Sequence, residues 1–161
     1  MGKISTPELE RLEVFLGTWN LEGQQYEGPF GPAAKITAVE TYEWLPGGFF
    51  LVHRFDARIG GQPIACIEVI GHDASSQSYP TRTFCSDGNT NEWQFRERDG
   101  VWTSAEAAPM ARNPMQARST SVFSDAGNTM TAKWEYSSDG AAWQTFWDVK
   151  ATKAWRARRE S

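Results

Sequence analysis

A closed antiparallel β-barrel of about ten strands is the fold predicted by this sequence, and three observations predict it. Short runs of alternating apolar and polar residues recur from Gly17 to Lys153. Turn signals separate them: Pro46-Gly47-Gly48, Gly60-Gly61, Asp87-Gly88, Asp99-Gly100, Asp125-Ala126-Gly127 and Ser138-Asp139-Gly140. Gly-Gly and Asp-Gly supply the positive φ that tight hairpin turns need. No long helical pattern lies between the runs, so the crossovers of a parallel sheet are missing. An up-and-down meander of this length buries its apolar face and loses its edges by closing on itself.

Each element follows from local chemistry. Ser5 or Thr6 caps a short helix, Pro7 suits its first turn, and Glu8 and Glu10 suit its positive end. Leu9, Leu12, Phe15 and Leu16 then share a face. This segment, 6–16, is expected to plug one end of the barrel. Strands are predicted at 17–26, 34–45, 48–59, 62–72, 78–86, 89–98, 101–107, 116–124, 128–137 and 141–153. The whole chain, 1–161, reads as a single barrel domain, with the barrel over 17–153 and a basic tail over 154–161 that carries Arg156, Arg158 and Arg159. Two connections are long: 27–33, and 107–115 with Met110 and Met115. Long loops in compact domains often cover a binding site, and Met is adaptable enough to lie over an apolar mouth.

Composition excludes several classes of function. The formal charge is −4, so there is no basic footprint for nucleic acid. No run of eighteen apolar residues or signal-peptide core occurs, so no membrane association is expected and the protein is placed in the cytoplasm. In that compartment Cys66 and Cys85 are expected to be reduced thiols on neighbouring strands. Two histidines, His53 and His72, and no Cys-x-x-Cys leave no metal site and no cofactor motif. His72 lies four residues beyond Glu68, about 13 Å along a strand, too far to share one metal ion. Eight Trp, nine Phe and four Tyr point instead to a large apolar lining.

Hairpin register identifies the candidate lining. With Gly60-Gly61 as a two-residue turn, Leu51 faces Ile70, His53 faces Glu68 and Phe55 faces Cys66. The opposite face carries Arg54, Asp56 and Arg58, so the His53 face is interior. A two-residue turn at Pro46-Gly47 or Gly47-Gly48 brings Ile36, Ala38, Glu40, Tyr42 and Trp44 to the same side. Glu40, Tyr42, His53 and Glu68 then form a polar cluster in an apolar interior. Beyond residue 73 two registers compete. A four-residue loop at 74–77 puts Tyr79, Thr81, Thr83 and Cys85 inside; an odd loop or bulge brings in Phe84 and its neighbours. In the last hairpin Met130, Ala132, Trp134 and Tyr136, with Trp143, Thr145, Trp147 and Val149, form the inward set.

Gly17-Thr18-Trp19 after a short helix resembles the Gly-x-Trp of the calycins, the superfamily of lipocalins, fatty-acid-binding proteins and nitrobindin-like haem barrels. With residues 43–54, Ile67-Glu68-Val69-Ile70-Gly71-His72-Asp73, and Ser137-Ser138-Asp139-Gly140 followed by Trp143, the chain is similar to a bacterial family of lipocalin-like barrels of unassigned function. The resemblance implies the fold and leaves the chemistry open. It also implies a basic residue packed on Trp19, for which Lys150, Lys153 and Arg156 are candidates. The late strands hold no His of the kind with which nitrobindin-like proteins ligate haem.

The first functional reading is a monomeric or homodimeric binder of a small, mostly hydrophobic molecule. Glu40, Tyr42, Trp44, Leu51, His53, Phe55, Glu68, Trp134 and Trp147 are its candidate ligand-binding residues. The second is an enzyme in which His53 or Glu68 moves a proton. The third is a nitrobindin-like haem protein with His53 as an unusual ligand.

Overall fold

The computed structural model describes residues 5–106 and 115–154. Ten strands close into one antiparallel barrel in simple up-and-down order. They are β1 (Gly17–Gln25), β2 (Ala34–Trp44), β3 (Leu51–Ile59), β4 (Gln62–Ile70), β5 (Tyr79–Cys85), β6 (Thr90–Arg98), β7 (Val101–Glu106), β8 (Gln116–Ser124), β9 (Thr129–Ser137) and β10 (Gln144–Lys153). β1 pairs with β10 to seal the barrel. The seam is tight: a Cβ on Gly23 would lie 2.2 Å from the Asp148 carbonyl oxygen, so only glycine fits there.

One end of the barrel is plugged. Thr6 caps helix α1 (Pro7–Arg11), accepting a hydrogen bond from the Leu9 amide, and a 3-10 turn (Leu12–Phe15) follows. Leu9, Leu12 and Phe15 are buried. Phe15 meets Tyr42, Trp102 and Phe123 at 5.1–5.3 Å between ring centres. The Tyr79 hydroxyl donates to the Glu8 carbonyl at 2.7 Å, and the Trp19 indole donates to the Phe15 carbonyl at 2.7 Å. Lys153, opposite Trp19 on β10, places its ammonium 5.1 Å from the Trp19 ring centre and so fills the basic position expected there.

Register settles the two competing readings after residue 73. Asp73 bridges Ser78 across the four-residue loop, and Cys66 faces Cys85. Tyr79, Thr81, Thr83 and Cys85 therefore take the inward face, while Phe84 stays outside and is 51% exposed. Trp93 and Phe95 nonetheless turn inward, because the next hairpin has a three-residue loop. The Cys85 amide bonds to the Asn89 carbonyl at 2.9 Å, and Gly88 takes the positive φ, +88°, that such a loop requires. Two strand starts also move. β3 begins at Leu51 because residues 45–50 form a wider turn closed by the Leu45 amide on the Phe50 carbonyl. β10 begins at Gln144 because the Asp139 carboxylate accepts the amides of Ala141 and Ala142 and holds them in the loop.

The expectation of two reduced thiols is corrected: Cys66 and Cys85 form a disulfide across β4 and β5. Their directly facing register brings the Cα atoms to 4.1 Å. The cytoplasmic placement loses the support that reduced thiols would have lent it. No helix among the described residues is long and apolar enough to cross a membrane. Met110 and the Arg156, Arg158, Arg159 tail lie outside the described residues.

Thiol counting on protein denatured without reductant should find no free thiol from this pair. The link closes a loop with a sequence separation of 19 residues. Replacing both cysteines by alanine should therefore lower stability in a denaturant melt by about 3 kcal/mol on the loop-entropy estimate.

Candidate functional site

A cavity of about 340 Å³ occupies the barrel interior above the helical plug. Its wall contains a cross-strand row set by pairing alone. Tyr42 on β2 faces His53 on β3, His53 faces Glu68 on β4, Glu68 faces Thr83 on β5, and Thr83 faces Asn91 on β6. Neighbouring strands lie about 4.8 Å apart, so these polar side chains touch in sequence. The Tyr42 and His53 rings stack at 4.1 Å with only 2° between their planes. His53 Nδ1 lies 3.2 Å from Glu68 Oε1, and the Thr83 hydroxyl donates to Glu68 Oε2 at 3.0 Å. Glu40, two residues before Tyr42 on the same face of β2, reaches His53 Nε2 at 3.4 Å.

His53 thus sits between two carboxylates. Burial disfavours its charged form, but hydrogen bonding and charge from Glu40 and Glu68 outweigh that effect and raise its pKa to about 9. The imidazole is an imidazolium at neutral pH. Tyr42 is pushed well above the ordinary phenol value, first by burial and then by the charges of Glu40 and Glu68. Glu40 is almost fully buried, and its Oε2 has no hydrogen-bond partner.

Aromatic rings cover much of the rest of the wall. Trp93 meets Trp134 edge to face at 5.3 Å, Trp134 meets Trp147 at 6.5 Å, and Phe55 stacks with Trp147 at 6.4 Å. Phe30, in the connection between β1 and β2, rests on Phe146 at 4.3 Å and lines the cavity at the unplugged end. Gln25 steadies this corner: it donates to the Pro32 carbonyl at 2.9 Å and accepts from the Trp147 indole at 2.9 Å.

Of the residues singled out from sequence, Glu40, Tyr42, His53, Phe55, Glu68, Trp134 and Trp147 line the cavity. Leu51 and Trp44 share their inward face but do not line it. They pair with each other near the plugged end, where Leu51 is fully buried in the core and Trp44 packs against it. Sequence reasoning missed Phe146. A bulge between Thr145 and Trp147 breaks the alternation, so both Phe146 and Trp147 line the cavity. Trp143, expected inward, instead lies under the Arg118 guanidinium at 3.8 Å. Phe30, Trp93, Phe95 and Trp102 also line the cavity.

The sequence matches the family described as "Protein of unknown function (DUF1579)" over residues 5–153. The chain belongs to the DUF1579 family. No curated protein matches it significantly. Among solved structures it is similar to Rv2717c from M. tuberculosis, with 12% identity and a TM-score of 0.64 over 94% of this chain and 100% of that one. It is also similar to the S-type phycobiliprotein lyase CPES from Guillardia theta, with 7% identity and a TM-score of 0.57 over 92% and 93% of the two chains. At such identities the chain shares the barrel fold with these proteins, and the likeness says nothing of its chemistry.

The residues do not fit haem ligation through His53. Nδ1 is held by Glu68, one ring face is covered by Tyr42, and an iron on the remaining nitrogen, Nε2, would have to displace the Glu40 carboxylate 3.4 Å away. His72 does not line the cavity and lies against Tyr79 at 5.1 Å.

The charge on His53 makes stability depend on pH with a definite sign. Its folded pKa, about 9, lies above the ordinary value of 6.5. The stabilisation is complete below about pH 6.5 and is lost as pH rises through 9. Denaturation midpoints measured from pH 6 to 9.5 should fall across this window, and His53→Gln should flatten the fall. Equal slopes in the two proteins would mean that His53 carries no extra proton.

Proposed function

We propose that this protein binds a small, mostly hydrophobic molecule inside the barrel. One observation carries the reading: a cavity of about 340 Å³ inside the barrel, lined largely by apolar and aromatic side chains, holds a buried charged cluster on its wall. An interior kept only for stability would be filled by side chains, as small barrels usually are. A ligand site needs an apolar body and a few convergent polar groups. Phe55, Trp134 and Trp147 would hold the body of the ligand. Glu40, Tyr42, His53 and Glu68 would orient its polar end.

Acid–base catalysis has less behind it. An imidazolium with both ring nitrogens facing carboxylates is not a base at neutral pH. Nor is it a ready acid, since losing its proton would leave two carboxylates buried against a neutral ring.

N-phenyl-1-naphthylamine, uncharged at pH 7, is a suitable probe of the cavity. Its fluorescence should rise and shift to the blue on titration with the protein. Ala132, buried on the cavity wall, is the place to fill it. Ala132→Trp should weaken binding at least tenfold while the far-ultraviolet circular dichroism of the barrel is retained. Undiminished binding to a folded Ala132→Trp protein would put the probe elsewhere and refute the reading.

A further inference from the structure

We infer that the cavity is built for an organic cation, a protonated amine with at least one N–H, carried on an apolar body of aromatic size. This rests on the small-molecule reading above and narrows the class of ligand.

Acidic groups outnumber basic ones on the wall. Among the described residues that line the cavity are three carboxylates, Glu40, Glu68 and Glu106, one imidazole, His53, and no Lys or Arg. The imidazolium offsets one of the carboxylates. An anionic ligand would enter against the remainder, in a setting where low dielectric strengthens every charge interaction.

A neutral apolar ligand would leave a second feature unanswered. Glu40 is 5% exposed, and its Oε2 is buried without a hydrogen-bond partner. Buried polar atoms are nearly always paired. Its other oxygen, Oε1, lies 3.4 Å from His53 Nε2, which like Oε2 is buried without a hydrogen-bond partner, while Nδ1 is directed at Glu68. Tyr42 shares the Glu40 face of β2 but lies flat on the imidazole. The missing partner is therefore a donor, and beside a carboxylate a charged donor binds more strongly than a neutral one.

The aromatic wall agrees in sign. Trp93, Trp134, Trp147 and Phe55 line the same space, and the faces of such rings attract cations. A quaternary ammonium would gain that attraction but has no N–H for Glu40, so the amine is the better fit.

Three probes with one naphthyl body separate the possibilities by calorimetry at pH 7: 2-(1-naphthyl)ethylamine, 2-(1-naphthyl)ethanol and 1-naphthylacetic acid. The amine is expected to bind at least tenfold tighter than the alcohol, and the acid weakest. In Glu40→Gln the amine's advantage over the alcohol should shrink to less than threefold. If the alcohol binds and the amine or acid order is otherwise, the cation inference fails while the cavity-binding reading stands. If the amine's advantage persists in Glu40→Gln, Glu40 is not its partner and the inference fails as stated. If none of the three binds, both readings fall. Should Glu40→Gln not fold, the ranking on the wild-type protein alone decides.

Discussion

A two-residue turn determines what this barrel holds inside. Gly60 and Gly61 both take positive φ, +58° and +81°, the combination of a type I′ turn that matches the twist of the strands it joins. That turn puts His53 opposite Glu68 and sets which faces of β3 and β4 lie together. A slip of one residue would turn one of the two strands over. With β3 turned over, Arg54, Asp56 and Arg58 would face the interior and His53 would face water. Burying those three charges without the partners that His53 has would cost far more than the present arrangement. Turn geometry and interior chemistry therefore select the same register.

The interior charge cluster is the next consequence. A histidine between two carboxylates, in a mostly apolar space, is not what an apolar core alone would choose. The arrangement holds because each group supports another: Thr83 donates to Glu68, Glu68 and Glu40 hold the imidazolium, and Tyr42 covers its face. The disulfide between Cys66 and Cys85 ties β4 to β5 one step along the same face, beside Glu68 and Thr83. The helical plug closes one end, and Phe30, Phe146 and Trp147 meet at the other.

Much of this was legible in the sequence, and the reasons are physical. Ten strands, their order and the inward face of β2, β3 and β4 follow from alternation and turn type, which are local properties. Depth along the barrel is not local. Trp44 and Leu51 have the same parity as Tyr42 and His53, yet they pack at the plugged end, because alternation reports the face of a strand and not the level at which a cavity lies. Bulges also escape pattern reading: nothing in Thr145-Phe146-Trp147 announces that two successive aromatics will line one cavity. Asp87-Gly88 reads equally well as a two- or three-residue loop, yet that single residue decides whether Trp93 lies in or out. Register, and not compartment, decides the state of the cysteines: the four-residue loop at 74–77 sets Cys66 against Cys85, and the two form a disulfide.

Glu40 and Glu68 hold His53 as an imidazolium on the inner wall. Nitrogen chemical shifts of the His53 ring, followed by NMR from pH 5 to 10, read this charge directly. Both ring nitrogens should remain protonated through pH 8, with a transition near 9. A ring that titrates near 6.5, or one nitrogen already bare at pH 7, would contradict it.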